Sequence, residues 1–333
     1  MKKQTYMKLG FPEMIDVSGR VSIADLYRSS KKRTGIYLLQ FPDGDYYVGQ
    51  SVDVVRRFSE HVKGKGPISG FSFFAVPEYE LDQQEHRCIT LLEQKCNLKN
   101  ISLVTLPEVE TDFDAVLSRE EQQDWLVNDR ATPKYPSLWQ NSSFYEQMRK
   151  KYSDRFTKLL SDPYFEKYVL PVMQKYIKYC IPEPLLSEIS FWNCSCLPPY
   201  NSNSIIYSRI NLRSCEVFTV SYHRPTNDFC YSFHTSLSPF ENISDQEFNK
   251  FKKQFPSFEL GDYIYPSAGS DQCNPTFTGF TEVMNALDHP LLLKAIKTFN
   301  LGQMRKGAPL YRSSHCVDLA ELLMSGICPH IRI

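Results

Sequence analysis

With 333 residues the chain is long enough for two domains, and its 38 basic and 38 acidic side chains cancel, which excludes a global basic field for holding a polyanion. A hydrophobic content of 42% excludes a disordered chain, and no run of roughly 18 uncharged apolar residues exists to cross a membrane as a helix. The charge is uneven: residues 1–100 carry 15 Lys and Arg against 12 Asp and Glu, residues 101–130 carry 2 against 8, and residues 131–180 carry 9 against 4, so a locally basic surface stays open. Met1-Lys2-Lys3 leads into Gln4-Thr5-Tyr6 rather than an apolar run, so no signal peptide is read and a soluble, cytoplasmic chain without a membrane partner is expected. Ten scattered cysteines do not form a disulfide framework. Cys194-Ser195-Cys196 and Cys328-Pro329-His330 lack the paired spacing of a structural zinc motif and read as ordinary buried thiols and a tail.

Residues 1–32 are expected to hold a short strand or turn and a helix at Ile23–Ser29. Gly35 to Phe41 is an apolar, β-prone run, Pro42-Asp43-Gly44-Asp45 is a turn, and Tyr46 to Gln50 is a second strand, which together make a β-hairpin. Gly49 lets the chain bend away, and Ser51 or Asp53 caps a helix over Asp53–Val62. Arg57 and His61 are four apart and share one face of that helix, while Val54, Val55 and Phe58 supply its apolar stripe. Leu81, Cys88, Ile89, Leu92 and Cys96 repeat at helical spacing and predict a second helix. Glu85 falls on its apolar face, where an unpaired carboxylate is costly. A cation, a basic partner or a metal would each relieve it. Glu93 lies toward the flank and reads as a solvated charge.

Gly35-Ile36-Tyr37, then Tyr47-Val48-Gly49, Arg57 ten beyond Tyr47, His61 four beyond Arg57, Glu85, and Asn100-Ile101 fifteen beyond Glu85 resemble the GIY-YIG nuclease family in order and spacing over residues 33–102. Two departures stand: valine occupies the middle of the second motif, and Cys88-Ile89 replace an aromatic residue that often follows the glutamate. The resemblance implies a three-stranded antiparallel sheet flanked by helices, and a DNA endonuclease that hydrolyses phosphodiester bonds with one Mg²⁺ or Mn²⁺ per active site. It assigns the metal to Glu85 and catalytic positions to Tyr37, Tyr47, Arg57, His61, Glu85 and Asn100. Arg57 suits phosphate oxygens as a planar, always-charged fork. Tyrosine is a poor base near pKa 10 unless a cation lowers it; a Tyr37 phenolate is the expected base with Tyr47 aligning water and phosphate, and the reverse assignment stays open. His61 bonds a tyrosine hydroxyl or takes its proton, and Asn100 fixes the helix or a metal-bound water. Arg33, Lys63 and Lys65 are candidate contacts to the DNA backbone. Taken singly, a strand tyrosine packs and a helical Arg-Arg pair is solvated, which is the role given to Tyr46 and Arg56.

The chain from 106 to 140 is acidic and proline-broken, with a capping box at Ser118-Arg119-Glu120-Glu121 opening a helix to Val127, and reads as a linker between a domain at 1–105 and one at 141–333. Ser143 to Glu146 is a second capping box opening a basic helix to Leu160 with Arg149, Lys150, Lys151, Arg155 and Lys158. A helix from Asp162-Pro163 to Cys180 follows. Strands are read at Phe191–Leu197, Ser204–Leu212, Cys215–His223 and Phe229–Thr235, with Arg224–Asp228 as a hairpin loop. Helices are read at Ser244–Phe255, Phe280–Thr298 and His315–Ser325. The larger domain is therefore α+β with an antiparallel meander, and no family resemblance was found in it. Trp192, Tyr207, Tyr222, Tyr231 and Phe233 read as core or, alternatively, as a pocket for a base or another ligand. His223 and His234 read as structural. The expected activity is a metal-dependent DNA endonuclease whose second domain selects substrate, with restriction or phage defence among its settings. A nuclease gated by a small ligand or protein partner at the C-terminal domain and a catalytically inactive DNA-binding relative are the alternatives. Homo-oligomerisation stays open.

Overall fold

In the computed structural model, which describes residues 3–27, 32–128 and 143–325, the chain divides into two units, Met1–Glu110 and Thr111–Ile333. Both are mixed α and β with antiparallel sheets.

The first unit is built on the hairpin. Strands β2 (Gly35–Gln40) and β3 (Tyr46–Ser51) pair through the turn at Gly44, whose φ of 91° suits glycine. Helix α1 (Lys3–Met7) and strand β1 (Ile15–Asp16) precede them, and β4 (Gly70–Ala75) follows on the other side of β2. The sheet has four strands in the order β1-β4-β2-β3, not three, because two residues of β1 extend β4 outward. The side chains alternate across the sheet. Ile36, Leu38 and Val48 face helix α3 (Leu81–Glu93), packing with Leu81, Ile89 and Leu92. Tyr37, Leu39 and Phe71 face helix α2 (Val54–Lys65), packing with Val54 and Phe58. Asp53 caps α2, its carboxylate accepting from the N–H groups of Val55 and Arg56, and Gly66 ends it at a φ of 87°. The helix therefore runs three residues beyond the expected Val62. The helix expected at Ile23–Ser29 is a single 3₁₀ turn, Ala24–Leu26, and residues 28–31 lie outside the described residues.

The second unit begins earlier than the expected 141. Thr111 and Asp114 form a reciprocal cap, and Phe113, Leu117 and Trp125 of helix α4 (Arg119–Val127) and the turn before it are buried in the second core. Arg305 pairs with Asp114, and the buried Lys297 donates to the Trp125 carbonyl at 3.0 Å. The stretch 111–128 is thus a packed edge of this unit rather than a linker, and 129–142 lie outside the described residues. Helix α5 (Ser143–Leu160) follows. A π-helical turn, Phe165–Val169, then precedes α6 (Leu170–Cys180). The wide turn interrupts the continuous helix expected here because Pro171 has no N–H to donate backward and its ring crowds the preceding turn.

After the short α7 (Pro184–Ser187), strands β5 (Trp192–Cys196), β6 (Ser204–Leu212), β7 (Cys215–His223) and β8 (Asp228–Phe233) form the expected meander. Helices α8 (Ser238–Glu241) and α9 (Asp245–Gln254) lead to β9 (Glu259–Gly261) and β10 (Asn274–Phe277), giving the order β5-β6-β7-β8-β10-β9. The helix expected over Phe280–Thr298 is split into α10 (Phe280–Ala286) and α11 (Pro290–Arg305), since Pro290 opens a new helix that His289 caps. Helix α12 (Val317–Ser325) closes the described chain. Trp192, Tyr207, Tyr231 and Phe233 are buried, so these aromatics fill the core. Tyr176 stacks on Phe218 at 4.6 Å, and Asn300 of α11 ties α6 down through the Tyr176 hydroxyl and the Cys180 carbonyl, each at 2.8 Å. On α5, Arg149 is engaged by Asp318 and Glu321 and Lys151 by the Ser313 carbonyl, which takes two of its five cations into internal contacts.

Candidate active site

The register Tyr37↔Gly49 places a tyrosine ring directly across from a residue with no side chain. A Cβ at Gly49 would stand 2.3 Å from the Tyr37 hydroxyl oxygen. Gly49 is therefore space for that ring within β3, and not the bend that the sequence suggested. Gly35 has a similar reason: a Cβ there would meet the Phe74 carbonyl at 2.1 Å. Tyr47, two residues before Gly49, lies on the same face, its ring 6.3 Å from Tyr37 and nearly parallel to it. Helix α2 crosses that face and delivers Arg57, His61 and Lys65 from successive turns of one side.

Four of the residues singled out in the sequence meet here. The Tyr37 hydroxyl is 2.6 Å from His61 Nε2, and Arg57 Nε donates to the same oxygen at 3.4 Å. The His61 ring also lies 4.8 Å from that of Tyr47. In the neutral tautomer with its proton on Nδ1, the phenol's own proton is directed at His61 Nε2. Burial, followed by the charge of Arg57, pushes His61 down to about 4, so the ring is neutral near pH 7. Burial also pushes Tyr37 up, and Arg57 only partly offsets this. Desolvation thus outweighs the one cation bonded to this hydroxyl. Arg57 itself is held protonated first by the Tyr37 hydroxyl and then by Glu60, whose carboxylate is 3.0 Å away on the same helix. That pair is about two-fifths exposed on both sides and is therefore weak.

Glu85 approaches from α3, close enough that its charge raises both Tyr37 and Tyr47. Its carboxyl is pushed above the usual range by burial, against which hydrogen bonds from the Gln50 side chain and backbone pull down. Gln50 also donates to Asp82 Oδ1 at 2.6 Å. Sequence reading missed Gln50, although its place directly after Tyr47-Val48-Gly49 was the available signal. Asn100 is turned elsewhere. Its amide accepts the Val48 N–H at 3.1 Å and donates to the Val48 carbonyl at 2.8 Å, so it holds β3 rather than a helix or a water.

Among the basic residues named for DNA, Arg33 is occupied by Asp53 at 3.7 Å and the Tyr27 carbonyl at 3.4 Å. Lys63 is exposed, and the Lys65 ammonium sits over the Tyr47 ring at 4.6 Å. Tyr46 is buried on the α3 side and Arg56 is exposed, in keeping with their packing and solvated roles.

Glu85 suits a single hard cation. A half-buried carboxylate with a raised pKa gains from a positive charge, and Mg²⁺ or Mn²⁺ keeps water and phosphate oxygens as its other ligands. Among the described residues no three His, Cys, Asp or Glu side chains converge; the carboxylate beside Glu85 is Asp82, whose charge also raises it. Cys194 and Cys196 are buried free thiols, and Cys328 and His330 lie outside the described residues. The search against protein-family profiles, curated proteins and solved structures gave no match for this chain.

Proposed function

We propose that the first unit cleaves phosphodiester bonds in DNA as a metal-dependent endonuclease of the GIY-YIG type that residues 33–102 resemble. The observation that carries this reading is one oxygen: the Tyr37 hydroxyl, bonded by Arg57 on one side and by a neutral His61 on the other, with Tyr47 and Glu85 beside it. A buried tyrosine with this company is a proton relay in waiting.

In the resting site the proton stays on Tyr37, because its pKa is raised and that of His61 is depressed. Burial holds His61 down first and the Arg57 charge second; a DNA phosphate laid against Arg57 offsets that second part, and the imidazole's proton affinity rises. The attacking water passes its proton to the Tyr37 oxygen as the Tyr37 proton moves to His61 Nε2. Tyr47, hydrogen-bonded toward Arg57 and Tyr37, aligns the water with the phosphate. Arg57 meets the charge that grows on the non-bridging oxygens. Glu85 would hold Mg²⁺ or Mn²⁺, which when bound would supply Lewis-acid charge to the leaving oxygen.

The test is incubation of the full chain with plasmid, phage and single-stranded DNA, with modified and unmodified bases, in Mg²⁺ or Mn²⁺. Nicked or linear products that disappear on chelation are expected. Intact substrates in every combination would overturn the reading.

A further inference from the structure

The geometry points to a mononucleotide-binding cleft in the second unit, formed between the C-terminal end of α5, the loop after β5 and the start of β6. The cleft measures about 520 Å³, within the usual range of small-molecule sites at about 300–1,000 Å³. Two local departures from regular geometry converge on it. Leu197 on its wall has a φ of 41°, in the left-handed region that a branched side chain disfavours. The β6–β7 register slips between Ile206 and Ser208, and the extra residue, Tyr207, turns its hydroxyl onto Asp162 Oδ2 at 3.1 Å. Bulges and left-handed branched residues each lower local stability and cluster at functional sites.

The lining says what would bind. Pro163, Leu197, Pro198 and Ile205 give apolar walls suited to a flat heterocycle. Lys158 and Arg224 bring two cations to the same cleft, against one carboxylate, Asp162, whose oxygens accept from the Tyr164 N–H at 2.9 Å and the Tyr207 hydroxyl at 3.1 Å. No hydrogen bond or ion pair engages Lys158 among the described residues. Arg224 donates one N–H to the Ser202 carbonyl at 2.6 Å and its backbone N–H to the Asn203 carbonyl at 2.9 Å, which fixes the turn while leaving most of its fork to a ligand. A dianionic phosphate matches two cations, and an apolar slot beside it matches a base. One small molecule that joins the two is a nucleoside 5′-monophosphate. The proposal stands apart from the nuclease reading and survives its failure.

Isothermal titration of the full chain with AMP, GMP, CMP and dTMP, the matching nucleosides, and inorganic phosphate tests it. At least one monophosphate is expected to bind tenfold or more tightly than both its nucleoside and inorganic phosphate. Lys158→Ala and Arg224→Ala are each expected to weaken that binding at least tenfold, and Lys158→Ala, whose side chain is exposed and makes no internal bond among the described residues, does so at an unchanged melting midpoint. The proposal is overturned if none of the four binds by millimolar concentration, if phosphate or nucleoside binds as tightly, or if both charge variants bind like wild type.

Discussion

Two buried histidines, His61 in the first unit and His315 in the second, are 4% and 0% exposed and keep opposite company. His315 accepts the Cys194 backbone N–H on Nδ1 at 3.2 Å, so Nε2 carries the proton and donates it to Glu188 Oε1 at 3.0 Å. The Tyr145 hydroxyl donates to the other oxygen of that buried carboxylate. Each of these contacts pairs a donor with an acceptor, so the polar groups reinforce packing. His61 has no carboxylate partner among the described residues. It faces a tyrosine hydroxyl, and burial first and the nearby Arg57 second depress its pKa. Equal burial therefore comes with different surroundings: a carboxylate and a backbone N–H around His315, a tyrosine hydroxyl and a nearby cation around His61.

The contrast can be tested from its strongest consequence downward. Glu85→Gln is expected to remove detectable cleavage while leaving DNA binding, read by electrophoretic mobility shift, close to wild type; retained cutting would reject the metal assignment. Glu188→Ala should leave the Tyr145 and His315 donors buried without an acceptor and cost about 3–5 kcal/mol of stability. Chemical denaturation measures it, and a loss below about 1 kcal/mol would mean that the second unit's network is not closed as described. Arg57→Ala should slow single-turnover cleavage by roughly 10²–10³-fold with little change in the denaturation midpoint. A wild-type rate would show that the guanidinium only decorates the helix.

The next effect is one of pH. The folded pKa of His61 is about 4, below the ordinary unfolded value near 6.5, so the unfolded chain takes up the proton first as pH falls. Its contribution to stability is complete above about pH 6.5 and is lost as pH drops through about 4, on the order of 3 kcal/mol in all. Urea unfolding of wild type and His61→Gln between pH 7 and 4 should separate by up to that amount, whereas parallel curves would rule out the depressed imidazole. The smallest effect is a control. Arg56→Ala, exposed on α2, should change stability by no more than about 0.5 kcal/mol and leave cleavage as it was.

Much of the site was legible because its residues announce themselves by spacing. Tyr37, Tyr47, Arg57 and His61 lie on a hairpin and the helix that follows it, so strand alternation and the i, i+4 rule suffice to put them together. Less could be read where the reason for a residue lies across the fold. Gly49 looked like a bend, and only the cross-strand register shows that it makes room for Tyr37. Gln50 looked like an ordinary strand residue until α3 brought Glu85 and Asp82 beside it. The acidic run near 111–128 hid Phe113, Leu117 and Trp125, which are too few for a clear apolar stripe and enter a core shared with residues far along the chain, Phe191 against Phe113 among them. Strand β4 went unassigned as well, although it pairs along the whole length of β2. In each case a long-range contact decided a residue's role, and local spacing carries no record of it.

The grip of Asn100 on Val48 has a consequence for self-association. Strand β3 is the outer strand of its sheet, a position whose bare N–H and C=O groups ordinarily invite pairing with another molecule. Here Tyr46 exchanges bonds with the Asn97 carbonyl and the Lys99 N–H at 3.0 and 2.7 Å, and two residues on Asn100 satisfies both groups of Val48 like a one-residue strand of its own. Most of the rim is thereby plugged, and a second copy cannot zip onto the sheet there without first evicting that amide.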